Sequence, residues 1–139
     1  MSKKELVFLP LGGSGEIGMN MNLYGFGTPA NRQWIMIDCG VMFGDLSTPG
    51  IDLICPDPSY ILEEKEALNG LLLTHGHEDH IGAVALLAPK LGCPVYATPF
   101  TAALVARKLE EYGEHDVDLN VIDMNARFQI GPFDIEYVT

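Results

Sequence analysis

The sequence predicts an α/β layered domain built on a mixed β-sheet, and three observations carry that expectation. Short apolar or alternating runs recur between glycine- and proline-rich punctuation. Helical segments appear only in the middle of the chain, so the order reads strands, helix, strand, helix, strand, helix, strands. At 139 residues the chain fits one domain, and no Gly-, Ser- or Pro-rich linker and no internal repeat divides it.

Glu5 to Leu11 reads as a short buried strand closed by Gly12 and Gly13. Asn20 to Phe26 alternates like a half-buried strand, and after the turn at Gly25–Pro29 the run Gln33 to Asp38 forms the next one. Residues 40–58 read as loop, punctuated by Gly44, Pro49, Gly50, Pro56 and Pro58. A helix is expected from Pro58 or Ser59, N-capped by Asp57 and stopped at Asn69-Gly70. Leu71 to Thr74 is a buried strand. Asp79 to about Ala88 is a helix, ended by Pro89 and Gly92. Pro94 to Ala97 is a short strand, and Thr98 is a candidate cap for a helix from Pro99 to Tyr112. Strands are expected near Leu119–Met124, Arg127–Ile130 and Phe133–Val138.

Composition narrows the function. Hydrophobic residues make up 47% and charged residues 19%, a globular balance. The longest apolar stretch, Ile81–Ala88, is too short to cross a bilayer, and the run after Lys3-Lys4 is too brief for a signal-peptide core. No membrane association is expected. Cys39, Cys55 and Cys93 form no Cys-x-x-Cys pair, which reads as buried free thiols in a reducing, cytoplasmic setting. A net charge of −11 with eight Lys and Arg argues against this segment alone being a nucleic-acid clamp.

Two motifs compete for the chemistry. Gly13-Ser14-Gly15-Glu16-Ile17-Gly18 is a literal G-x-G-x-x-G after a strand, with Asp38 placed where a ribose-binding acid would be. That fingerprint requires a helix opening at the loop, whereas Asn20, Asn22, Gly25, Gly27 and Pro29 continue a strand. The loop is therefore read as a glycine-rich turn.

The second motif is Thr74-His75-Gly76-His77-Glu78-Asp79-His80, an H-x-H-x-D-H run after a buried strand. Three of four histidines fall within six residues. In extended backbone His75 and His77 point the same way, and Asp79 and His80 open the next helix beside them. Imidazoles and a carboxylate in that grouping suit Zn²⁺ or a similar divalent ion. A polar loop with Asp79 as a helix cap would explain Asp79 but not three histidines. Glu78 is either a general base or a solvent-facing neighbour of the ligands, and His115 is a surface loop residue. Asp38 closes a strand, where a carboxylate either orients a ligand histidine through its second ring nitrogen or makes a turn.

The H-x-H-x-D-H run resembles the signature of the metallo-β-lactamase superfamily. Four separated segments, Leu11–Asn20, Ile37–Phe43, Gly50–Asp57 and Leu73–Ala83, resemble ribonuclease J of its β-CASP group. The resemblance implies the N-terminal part of an αβ/βα sandwich, with His75 and His77 on one zinc and Asp79 and His80 on the other. Mn²⁺ or Mg²⁺ would be alternatives to zinc. Asp38 would match the strand-end aspartate beside the ligands. It further implies a 5′-to-3′ exoribonuclease and endoribonuclease of RNA maturation and decay, a homo-oligomer (dimer or tetramer). Further ligands, the β-CASP domain and the C-terminal region would lie beyond these 139 residues, leaving them inactive alone. Alternatives are a thioesterase- or lactamase-type hydrolase of the same fold, or a non-catalytic metal-binding remnant. A flavodiiron reading would want an acid in place of His77.

Overall fold

The computed structural model describes residues Ser2–Thr139. The strands β1 (Glu5–Gly12), β2 (Met21–Thr28) and β3 (Asn31–Ile37) form an antiparallel meander. Three further strands, β6 (Leu68–Leu72), β7 (Val95–Ala97) and β8 (Leu119–Val121), add to β3 in parallel. The resulting six-stranded sheet runs β1-β2-β3-β6-β7-β8 and is mixed, as expected. Between β3 and β6 lie the two-residue strands β4 (Met42–Phe43) and β5 (Leu53–Ile54), paired with each other inside the stretch expected to be loop.

One sheet face is covered by the helices α1 (Ser59–Glu63), α2 (Glu78–Ile81), α3 (Val84–Leu91) and α4 (Pro99–Glu111). Met21, Leu23, Met36, Leu71 and Val95 of the sheet meet Ile61, Ile81, Val84, Leu91 and Val105 there, all at most 2% exposed. Each such side chain contributes about 1.5–3 kcal/mol on burial. The opposite face is covered only in part. The hairpin β9 (Arg127–Ile130) and β10 (Phe133–Glu136) sets Ile130 and Phe133 on Ile35 and Leu72. Leu6, Phe8 and Tyr24, toward the β1 edge, stay exposed.

Local readings hold where burial follows the sequence period and fail where another part of the chain competes. The glycine loop between β1 and β2 contains no helix, so the nucleotide fingerprint is ruled out by its geometry. The helix begun at Ser59 is shorter than expected. Asp57 accepts the Ser59 N–H (2.9 Å), but the cap position is Pro58, and the helix gives way to a 3₁₀ turn at Lys65–Ala67. Asn69-Gly70 is no C-cap. Leu68 pairs with Trp34 and Gly70 with Ile35, so Asn69 is the extra residue of a bulge in β6. Its side chain donates to Gln33 Oε1 (3.0 Å). Thr98 occupies the N-cap of α4, as expected, without a side-chain cap bond.

The helix expected over Asp79–Ala88 is two helices. The carbonyls that would continue α2 are taken by other segments: Asn20 N–H bonds Asp79 O (2.9 Å), and Cys39 N–H bonds His80 O (2.8 Å). Ala83 N–H in turn donates to Cys39 O (2.9 Å). The ladder breaks at Gly82-Ala83, and α3 restarts and runs through Pro89 to Leu91. Gly92, in the left-handed region at φ 69°, terminates it as the sequence implied.

This lacing forces Gly40 against α2. A Cβ at residue 40 would sit 1.8 Å from Asp79 O, a backbone atom that cannot swing aside. Gly40→Ala is expected to destabilise the fold by at least about 3 kcal/mol, the upper range of overpacking. Gly76→Ala, whose Cβ would meet only the tip of Leu104 at 2.6 Å, should cost less. Urea-denaturation midpoints of the two variants compare them directly; equal midpoints would contradict the lacing.

Candidate metal centre

The parallel strands β3, β6 and β7 end at one edge of the sheet, the edge where open α/β sheets present their sites. Asp38 follows β3, Thr74 and His75 follow β6, and Thr98 follows β7. The Leu73 N–H still bonds Tyr96 O (3.0 Å), so the chain leaves the sheet at Thr74. Tyr137 reinforces that exit from the hairpin side: its hydroxyl donates to Leu73 O (3.0 Å), and burial pushes its phenol pKa well up. His77 is then the N-cap residue of α2, whose first turn holds Asp79 and His80.

The structure brings His75, His77 and His80 together. The His75 ring lies 4.7 Å from His77 and 4.0 Å from His80, centroid to centroid. Asp79 Oδ2 is 3.4 Å from His80 Nε2. Two donors on one tetrahedral zinc, with bonds of about 2.0–2.1 Å, stand about 3.4 Å apart by the same geometry. Asp79 and His80 therefore have the spacing of a half-site. Among the described residues, no group of three or more His, Cys, Asp or Glu side chains converges to hold an ion. The donor chemistry and the Asp79–His80 spacing fit a divalent ion, with two donors at that spacing.

Asp38 organises these donors. Its carboxylate is buried, at 4% exposure, on a backbone in the left-handed region at φ 65°. Oδ1 accepts the Thr74 N–H (2.8 Å), and Thr74 Oγ1 lies 2.8 Å from Oδ2. His80 Nδ1 is 2.7 Å from Oδ2. A carboxylate has no proton to give, so His80 Nδ1 donates and Nε2 keeps its lone pair. Asn20 Nδ2, 3.3 Å from that Nε2, is a donor and agrees with the assignment. The same logic passes through Thr74. Its hydroxyl proton goes to Asp38, so the oxygen accepts from His75 Nδ1 at 2.9 Å. His75 Nε2 is then also free to bind. Partial burial, with His80 and His77 close by, holds the His75 pKa below its ordinary value.

Several participants were not singled out from sequence. Thr74 was only the first residue of the motif. Asn20, which reaches Asp79 and His80 across 59 and 60 positions, is read from sequence only as the first residue of a strand. Glu78 points away from the rings and pairs with Lys108 Nζ on α4 at 2.5 Å. His115 is exposed, as expected. The cysteines are free, but the buried reading holds for two of three: Cys39 and Cys93 are buried and Cys55 is exposed. Burial raises the Cys93 thiol to about 11 and the Cys39 thiol further, so neither offers a thiolate ligand near neutrality. Among the described residues, no helix is long and apolar enough to cross a membrane.

A model of the beta-lactamase superfamily domain matches residues 33–139. Ribonuclease J of Sinorhizobium meliloti is 48% identical over 136 residues, covering 97% of this chain and 24% of its own length. Ribonuclease J of Helicobacter pylori is 36% identical over 139 residues, covering 99% and 20%. The chain thus spans a quarter or less of the length of these curated relatives. The metallo-beta-lactamase fold protein YhfI from Bacillus subtilis superposes with a TM-score of 0.57 at 16% identity, covering 95% of this chain and 51% of that one. Zn(2+)-bound PqqB from Methylobacterium extorquens gives 0.50 at 20% identity, covering 81% and 36%. At such identities the structural likeness speaks for the fold alone.

Two outcomes test the site's internal order. Long-range ¹H–¹⁵N spectra of the metal-free chain should show His75 and His80 as Nδ1–H tautomers. Thr74→Val should release the preference at His75 alone, and Asp38→Asn at both; Nε2–H forms in the unmodified chain would refute the relay. A disulfide reagent should modify one thiol of three in the native chain, with the other two appearing on unfolding.

Proposed function

The chain belongs to the beta-lactamase superfamily, and we propose that it supplies the metal-binding part of a ribonuclease of the ribonuclease J type. The observation that carries this reading is the Asp38–Thr74 relay, which places the ring protons of His75 and His80 on Nδ1 and leaves both Nε2 atoms unprotonated, that of His80 3.3 Å from the Asn20 amide, beside His77 and Asp79. Its branch of the superfamily follows from the ribonuclease J relatives, which match almost the whole chain.

In this proposal His75 and His77 hold one ion, and Asp79 and His80 hold the other. Zinc is the first choice for an imidazole-rich set, with Mn²⁺ or Mg²⁺ as substitutes. Two such ions supply Lewis acidity toward a phosphodiester and lower the pKa of water. The chain's own residues do the rest. Asp38 fixes His80 directly and His75 through Thr74, Asn20 holds Asp79 and His80 in relation to each other, and His75 offers the lone pair of its Nε2. The substrate is RNA, cut from the 5′ end and internally, in an assembly of two or four chains located in the cytoplasm. The three free thiols fit a reducing compartment.

The 139 residues alone are proposed to bind metal without turnover. Two protein donors per ion fall short of the three or four of stable zinc sites. A chain of net charge −11 also opposes capture of a polyanion. Zinc titration by calorimetry should give micromolar or weaker binding, abolished by His77→Ala, since about 10–16 kcal/mol of zinc affinity requires a closed ligand set. Nanomolar binding that survives His77→Ala would reject the ligand assignment. Incubated with 5′-monophosphorylated RNA and Zn²⁺ or Mn²⁺, the 139-residue chain should cleave nothing. A chain of the relatives' full length should cleave, and lose cleavage on His77→Ala.

A further inference from the structure

The half-buried Asn20 side chain ends at the Asp79–His80 pair. Its Nδ2 lies 2.9 Å from Asp79 O, 3.3 Å from His80 Nε2 and 3.5 Å from Asp79 Oδ2. With Asp79 Oδ2 and His80 Nε2 3.4 Å apart, Nδ2 and these two atoms form a nearly equilateral triangle. Its edges match the roughly 3.4 Å that separates two donors on one tetrahedral zinc, so the amide nitrogen stands at the third corner of a ligand face. An amide nitrogen has two hydrogens and no lone pair to offer, so it is not that third ligand. One hydrogen goes to Asp79 O, and the other faces His80 Nε2 and Asp79 Oδ2. The amide thus does with a partial positive charge what a cation would do with a full one.

The surroundings hold the amide in that position. The Asn20 N–H donates to Asp79 O and the Asn20 carbonyl accepts the Gly40 N–H, both at 2.9 Å, so the backbone cannot retreat from α2. On its other side the glycine loop makes room. A Cβ at Gly13 would stand 2.4 Å from Asn20 Oδ1, and Gly13 itself lies at φ 89°. The first glycine of the G-x-G-x-x-G run, which serves no nucleotide, is explained by this amide. With the backbone tied, only the side-chain torsions of Asn20 are left to move.

We propose that Asn20 is a latch on the Asp79–His80 pair: its amide holds the His80 lone pair and must turn aside before a divalent cation can take it. The proposal rests on the metal-centre reading above and adds what such a cation displaces. A neutral imidazole has one acceptor nitrogen, so an N–H donor and a cation compete for the same lone pair. At His75 the nitrogen engaged by Thr74 is Nδ1, so the latch acts on one histidine pair and not on the other. The cation affinity at His80 is lowered by the net worth of one hydrogen bond, about two- to tenfold.

The test follows the ring nitrogens and the Asn20 side-chain amide in ¹H–¹⁵N spectra while Zn²⁺ is titrated into the 139-residue chain. In the unmodified chain the amide signals should shift in step with His80, a measurement that needs no variant to fold. Asn20→Ala removes the amide and keeps the backbone hydrogen bonds of residue 20. Without zinc, its His80 Nε2 signal should move downfield, as a nitrogen that loses a hydrogen-bond donor does, with His75 unmoved. The zinc affinity read at His80 should rise about two- to tenfold, and that read at His75 and His77 should stay the same. Asn20→Asp puts a carboxylate oxygen at the third corner, and zinc should then bind at His80 at least about tenfold tighter than in the unmodified chain. Zinc that reaches His80 with the Asn20 amide signals unmoved overturns the latch. An affinity at His80 that stays level or falls in Asn20→Ala, the result of a merely structural support, does the same; both outcomes leave the metal centre standing. Zinc that perturbs none of the three histidines overturns the metal centre and the latch together.

Discussion

The buried carboxylate of Asp38 is the constraint on which the rest of the site depends. A charge removed from water at 4% exposure is tolerated only if its oxygens are filled by donors, and the donors available are the Thr74 amide, the Thr74 hydroxyl and the His80 ring. Satisfying that one group pins the end of β3 to the end of β6 and fixes the start of α2 against both. The chain must enter the left-handed region at residue 38 to do so, which an Asp tolerates better than most side chains. The polar cost and the backbone strain are thus met by the same contacts that aim the histidines.

The backbone completes what the carboxylate begins. Asn20, Cys39 and Val41 present their amides to the carbonyls of Asp79, His80 and Glu78, and Gly40 allows the approach. Two separated segments, the end of the glycine loop and the turn after β3, clamp a helix of four residues. A helix that short has little stability of its own. Its position comes from the clamp, so Asp79 and His80, which it carries, inherit the rigidity of the sheet.

Those couplings explain which parts were legible in the sequence. The β1–β3 meander and the parallel strands follow from alternation and apolar runs, because each residue's face is decided by its own burial. The H-x-H-x-D-H run is legible because three histidines in six positions have no packing use. The break at Gly82-Ala83 is not, since local propensity favours one continuous helix and the carbonyls are lost to residues forty to sixty positions away. The bulge at Asn69 escapes for a related reason. Asn-Gly reads as a helix stop in isolation, and only the register against Trp34 and Ile35 turns it into an extra strand residue. Thr74 shows the limit most clearly: its identity is visible, but its hydroxyl matters only because Asp38 lies within 2.8 Å.

The distribution of charge links the site to its surroundings. An acidic chain that is to hold an anion needs a local exception to its own field, and divalent ions at the histidines would be one source of it. The cavity beside His75 and His77, with no Asp, Glu, Lys or Arg side chain in its lining, is a second, because apolar contact is insensitive to the sign of the surrounding potential. Here the two meet at Gly76: on one side imidazole nitrogens suited to cations, on the other the side chains of Phe100 and Leu104.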